Sequence, residues 1–265
     1  MKLGIMGSYG KFDPADFDAV KARGLSFVEY CINVNCDWKA FADSADAMKE
    51  CVERTGVTVG SIGRWGTTRV TETGIVPEEM EADKALIRTA GKVGCPIFVC
   101  NCNKVESLSE HDNCEQAIRY FRELLETGKE AGVKIALYNC RWNNSFVCCE
   151  PYWSLILGAL PELGIKYDAS HCINESENDY LEEIRDWGHR FYHVHIKGTL
   201  KVGGKHVDDP PAGLDMINWN ALMGMLYAVG YDGTLSIEPH SGVWQGELGE
   251  KGIDYTIRYI RERML

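Results

Sequence analysis

No apolar run in the 265-residue chain approaches the roughly 20 residues that a membrane-spanning helix needs. Basic residues are in short supply. The 28 Lys and Arg against 39 Asp and Glu leave a net charge of −11. Phosphate backbones are bound by clustered Lys and Arg, so the balance argues against a nucleic-acid partner. The first six residues are too short an apolar stretch for a secretory signal and read directly as a strand. No G-x-G-x-x-G turn follows that strand, so the dinucleotide fingerprint is missing. Cysteine is plentiful, at 11, but no pair has the C-x-x-C spacing of a zinc site. Without an export signal these thiols are expected to stay reduced, mostly as small buried residues, in a cytoplasmic protein.

What is present is an ordinary globular composition, 45% hydrophobic and 25% charged. Strand-like runs alternate with amphipathic helical ones at even spacing. The strands are read at Leu3–Met6, Phe27–Tyr30, Val57–Ile62, Ile97–Cys100, Lys134–Leu137, Ile165–Tyr167, Phe191–Gly198 and Leu235–Ile237. Helices are expected at 14–23, 44–55, 77–93, 115–131, 151–160, 179–187, 218–229 and 251–263, with 199–216 as a long loop. Asp13 before Pro14 is a cap with proline at the first helical position. Eight strand–helix units without a linker predict an α/β chain, one (β/α)8 TIM barrel domain over residues 1–265. A doubly wound open sheet is the alternative. Against it, polar clusters follow many strands and not one switch point.

In a closed barrel the C-terminal strand ends converge on one face, where active sites are built. Six of the seven histidines fall at or after position 171. His193, His195 and Lys197 alternate along the seventh strand and share a face. Asp168, His195 and Glu238 come from three consecutive strand ends. Two carboxylates and a neutral imidazole suit a divalent cation such as Mn, Mg, Co or Zn; a buried salt-bridge cluster with Lys197 is the structural alternative. His171 follows Asp168 by three, as a further ligand or a partner for a substrate hydroxyl. Glu238 can act as a base, and Lys197 can stabilise charge developing on oxygen. Tyr9, Arg64 and Trp65 follow early strands as substrate-binding candidates. Asn101, Asn103, Tyr138, Asn139 and Trp142 follow the fourth and fifth strands, and His193 and His240 complete the set. Arg64, Arg69, Arg141 and Lys197 can meet a phosphate, although no glycine-rich cradle stands out.

Asp168-Ala-Ser-His171, His193-Val-His195-Ile-Lys197, Pro211-Ala-Gly213-Leu-Asp215 with Trp219, and Ser236-Ile-Glu238-Pro-His240 resemble the xylose isomerase-like barrel superfamily. The resemblance spans the whole chain. It is strongest to sugar and sugar-phosphate isomerases and epimerases of the ketose 3-epimerase, inosose dehydratase and hydroxypyruvate isomerase type. It implies a metal held by Asp168, His195 and Glu238, and a substrate contact at His171. One position departs. Where the family ends its fifth strand in a metal-binding, catalytic Glu, this chain has Tyr138. An ordinary tyrosine titrates near ~10 and is no substitute for a carboxylate. The expected site is therefore non-standard and its metal weakly bound, with Tyr138 and His171 as candidate proton donors.

The expected activity is metal-assisted isomerisation or epimerisation of a small sugar or polyol derivative through an enediolate. Dehydration of the inosose dehydratase type is the alternative. A metal-free sugar-binding relative without catalysis is the reading from a different class. A nuclease of the endonuclease IV kind ranks low, because no His follows the second or third strand. The expected partner is a small carbohydrate, with neither nucleic acid nor membrane. A homo-oligomer is compatible with the sequence, which does not specify one.

Overall fold

Eight short runs rich in β-branched and aromatic residues form the wall of a closed ring in the computed structural model, which describes residues 1–175 and 179–265. The strands are β1 Lys2–Met6, β2 Phe27–Cys31, β3 Thr58–Gly63, β4 Ile97–Cys100, β5 Lys134–Tyr138, β6 Gly164–Tyr167, β7 Phe191–Ile196 and β8 Thr234–Ile237. Each is parallel to both neighbours, and β1 pairs with β8 to close the barrel. This is the (β/α)8 TIM barrel in one domain.

The helices cover the outside because their apolar stripes have only the sheet to pack against. Helix Pro77–Val93 buries Met80, Leu86, Ile87 and Ala90; helix Glu110–Ala131 buries Ala117, Phe121 and Leu124. Gly94 and Gly132 end these helices at φ 74° and 70°, in the left-handed region that glycine enters at little cost. The second helix begins at Glu110, five residues before the sequence expectation, because Ser109 Oγ accepts a hydrogen bond from Asp112 N at 3.1 Å. Asp13 caps Pro14–Ala22 as anticipated, accepting from Ala15 N at 3.0 Å.

The barrel interior is closed at its N-terminal end by Phe27. A Cβ on Gly4 or Gly60 would lie 2.4 or 2.2 Å from this ring, so both neighbours must be glycine. Above Phe27 the interior turns polar. Two register slips aim residues into it, one between Val28 and Glu29 against β3, the other between Ile165 and Lys166 against β7.

The segment expected as a plain loop after β7 contains an antiparallel hairpin, Leu200–Val202 with Lys205–Asp208. Asp215 holds the rest of it, accepting from Trp219 Nε1 at 2.8 Å and Gly213 N at 3.0 Å. Two short helices, Trp38–Asp43 and Ala169–Glu175, were also not anticipated. His171 therefore stands on a helix and not on a surface loop. All eleven cysteines are free. Among the described residues no helix is long and apolar enough to cross a membrane.

Candidate active site

Asp168 and Glu238 each stand one residue beyond a strand, and His195 lies near the end of the strand between them. Their ligand-type atoms lie within 4.8 Å of one another. His195 Nδ1 is 2.8 Å from Glu238 Oε2 and 3.9 Å from Asp168 Oδ2. Asp168 Oδ1 accepts from Ser170 N at 2.9 Å. Its Oδ2 is buried and has no hydrogen-bond partner. A buried carboxylate oxygen without a donor is costly unless a cation approaches it. Lys166 Nζ and His171 Nε2 stand off from it at 3.8 Å and 3.5 Å without a hydrogen bond, and it faces His195 Nδ1, so the three residues fit a divalent cation bound by three protein ligands.

Beneath the floor lies Glu29, which the sequence reading passed over. It is fully buried. Its carboxylate accepts from His195 Nε2 at 2.9–3.0 Å and from His193 Nε2 at 3.0 Å. With Nε2–H donated to Glu29, Nδ1 is the nitrogen that faces Asp168 and Glu238; without a metal it donates to Glu238 Oε2, and a cation would take the place of that proton. This is the carboxylate–histidine arrangement that orients metal-binding imidazoles. His193 donates to Glu29 and accepts from Thr234 Oγ1 at 2.6 Å.

The charge states follow from these contacts. Burial alone would raise the Glu29 carboxyl, but His195 and His193 outweigh it and hold it well below the ordinary range. Burial opposes charge on His195, yet the carboxylate of Glu29 raises its pKa above the usual imidazole value. For His193 burial wins, and its pKa is lowered. Glu238, also pushed up by burial, is held well below its usual range by Lys197 and His195. Asp168 is lowered to about 2, because His171, Lys197 and Lys166 overcome burial. His171 is raised to about 9, the Asp168 carboxylate overcoming burial.

His195, Glu238, His171, Lys197 and Lys166 line a cavity of about 800 Å³ at the C-terminal mouth of the barrel, with Asp168 beside them. His171 Nε2 is 3.5 Å from Asp168 Oδ2, and its Nδ1 is 3.2 Å from Glu175 Oε1. Lys197 Nζ stands 4.0 Å from Glu238 Oε2. Lys166, not anticipated, stands 3.8 Å from Asp168 Oδ2 and 5.9 Å from the centre of the Trp65 ring. Trp65 and Trp142 line the wall, and Tyr9 reaches the rim, 62% exposed, accepting from Asn33 Nδ2 at 3.0 Å. His240 also lines the mouth, 2.9 Å from Asp209 Oδ2, while His206 from the hairpin is 2.8 Å from Asp209 Oδ1.

Two other groupings have ligand-type atoms within 4.8 Å of one another: Glu29–His193–His195 and Cys140–His171–Glu175. The first is already saturated by mutual hydrogen bonds, and Glu29 and His193 do not reach the cavity. The second has no orphaned acceptor of its own, since Glu175 Oε2 accepts from Arg141 N at 2.9 Å.

Several residues expected to touch substrate have other work and do not line the cavity. Arg64 is ion-paired with Glu79 and with Asp83, the latter also 2.8 Å from Arg69 Nε. Asn103 satisfies backbone, accepting from Arg69 N at 2.7 Å and donating to Val70 O at 3.0 Å. Asn101 donates to Tyr138 O at 2.6 Å and to Val147 O at 3.2 Å. Asn139 clamps the backbone of Asp168, donating to its carbonyl at 2.9 Å and accepting from its N–H at 3.0 Å. Tyr138 faces the barrel interior, but its ring stacks on Trp65 at 5.1 Å and its hydroxyl meets Ser145 Oγ at 3.0 Å. Burial raises its phenol above the usual range. A neutral, turned-away phenol supplies neither a ligand nor a base at the floor.

A family model described as a xylose isomerase-like TIM barrel matches residues 17–263. No curated protein matches the chain by sequence. Among solved structures, the D-allulose 3-epimerase from Methylomonas sp. superposes with a TM-score of 0.78 at 15% identity, covering 100% of this chain and 98% of that one. D-Psicose 3-epimerase from Clostridium cellulolyticum H10, solved with D-tagatose, gives 0.76 at 16% identity, covering 99% of both chains. Mannonate dehydratase from Streptococcus suis serotype2 gives 0.79 at 17% identity, covering 99% of this chain and 93% of the other. At these identities the likeness is one of fold.

Proposed function

The chain belongs to the xylose isomerase-like TIM barrel family, and from that premise we propose that it is a metal-assisted isomerase or epimerase of a small sugar or polyol derivative. The observation that carries this reading is the convergence of Asp168, His195 and Glu238 beneath an open cavity, with Asp168 Oδ2 left without a donor. Asp168, His195 Nδ1 and Glu238 would hold the metal. A bound divalent cation supplies Lewis acidity, polarising a carbonyl or hydroxyl oxygen. The other steps belong to the chain. Glu238, kept ionised by Lys197 and His195, takes the proton from the carbon next to the carbonyl. Lys197 and His171 stand over the same floor and handle the proton on oxygen. Trp65 and Trp142 offer flat apolar surfaces to the carbon skeleton.

Tyr138 favours one-base chemistry. Epimerisation across both faces of a planar intermediate calls for a second base, and the phenol is not placed to be one. A 1,2-isomerisation, or a dehydration in which a β-hydroxyl leaves as water with a proton from His171 or Lys197, needs only one base at carbon, Glu238.

The test is solvent-deuterium incorporation into candidate ketoses by protein loaded in turn with Mn²⁺, Mg²⁺, Co²⁺ or Zn²⁺. Exchange that is abolished in Glu238→Gln is the expected result. Exchange undiminished in that variant would count against the mechanism. Stoichiometric sugar binding without exchange, unaffected by chelator, would point to the non-catalytic relative.

A further inference from the structure

Two ammonium groups face the cavity without a hydrogen bond. Lys166 is 2% exposed and Lys197 5%. Among the described residues their ion-pair neighbours stand off at 3.8 Å and 4.0 Å, and neither Nζ donates to any acceptor. Buried charges are normally paired and hydrogen-bonded. The carboxylates beside and beneath the cavity have hydrogen-bonded or close partners. Glu29 accepts from His195 and His193, Glu175 Oε1 lies 3.2 Å from His171 Nδ1, and Asp209 lies 2.8 Å and 2.9 Å from His206 and His240. Asp168 and Glu238 converge on the proposed metal position, which adds positive charge of its own. Lys166 and Lys197 are the cations whose donors no protein acceptor takes up, so an anionic group on the ligand fits them.

Position narrows the kind of anion. Lys166 is at the floor, beside Asp168 and over Trp65, so its donors reach the end of the ligand where the proton moves. The guanidinium groups that could hold a phosphate further out, Arg64 and Arg69, are locked onto Asp83. Deepening the reading above, and resting on it, we propose that the substrate is a sugar acid whose carboxylate, next to the reacting carbon, is bound by Lys166. Lys197 stays with the reacting oxygen.

Calorimetric titration of the metal-loaded, full-length protein decides this. The probes are a set of six-carbon aldonates, alditols of matching stereochemistry, D-fructose and D-glucose 6-phosphate. An aldonate should bind at least about ten-fold more tightly than its alditol, the effect of one charge-assisted hydrogen bond. That ratio should fall to near unity in Lys166→Met, with circular dichroism confirming the fold. If Lys166→Met does not fold, Lys166→Gln and the wild-type ratio carry the test. Neutral sugars binding as well as acids overturn the inference and leave the parent reading standing. So does an acid preference that survives loss of Lys166, or a phosphorylated sugar that outcompetes every aldonate. Binding by no carbohydrate at all overturns the parent reading, and this one with it.

Discussion

Replacing Glu29 by Gln removes one negative charge from beneath the proposed metal site and almost no volume. The carboxylate accepts hydrogen bonds from two fully buried imidazoles. Breaking a buried pair by removing one partner typically costs ~3–5 kcal/mol. Two features reduce this here: Gln keeps one acceptor oxygen, and His195 can release its proton. The expected loss is about 2–3 kcal/mol. A chain of 265 residues unfolds with an entropy of roughly 0.56 kcal/mol/K, taking ~2.1 cal/mol/K per residue. Tm should therefore fall by about 4–5 °C in chelator-treated protein. The loss also has a pH signature. Glu29, with its pKa lowered by folding, contributes above its unfolded value near ~4.3 and loses that contribution as pH falls through the depressed folded value. His195, with its pKa raised, contributes fully below ~6.5 and loses its share as pH rises through the raised folded value. The deficit of Glu29→Gln should then be largest between about pH 4.3 and 6.5. Scanning calorimetry across pH, with Mn²⁺ titration for the accompanying ~10–100-fold loss of affinity, is the assay. An unchanged Tm, or a deficit flat with pH and no change in Mn²⁺ affinity, would refute the role given to Glu29.

Tyr138→Glu places a carboxylate on the strand beside Lys166 and removes a ring stacked on Trp65. Metal-free protein should lose ~3–5 kcal/mol, and Mn²⁺ should restore more Tm than it adds to the wild type; equal metal-induced shifts in scanning fluorimetry would show that position 138 does not reach the metal. His171→Asn tests the pairing with Asp168 and Glu175. Because folding raises the His171 pKa to about 9, its stabilisation should be fully present below ~6.5 and be lost as pH rises from there through about 9. Urea midpoints that differ from wild type equally at low and high pH would contradict this.

The resemblance in the motifs around Asp168, His195 and Glu238 corresponds to three residues that do meet. The motifs were readable because strand ends in a parallel barrel all point one way. Tyr138 was also legible as a departure, although its stacking on Trp65 was not. Glu29 left a signal that was not used: it is the lone charge in Phe27–Cys31, a strand otherwise apolar and wholly buried. Lys166 is the same kind of signal in Gly164–Tyr167. A charge inside such a run has to meet a partner in the interior. Arg64, Asn101 and Asn103 carried no comparable signal. A polar side chain after a strand looks the same in sequence whether it serves a ligand or a neighbouring loop.

The order of elements, the closure they favour and the three strand-end residues proposed as ligands were legible in the sequence alone, because they follow from periodicity and from a geometry common to parallel barrels. Tertiary structure decided which further charges lie at the floor and beneath it. Glu29 and Lys166 each follow a register slip against a neighbouring strand. A slip of one residue changes what a side chain faces, and it depends on how two distant segments pack, here around Phe27 and the glycines that admit it.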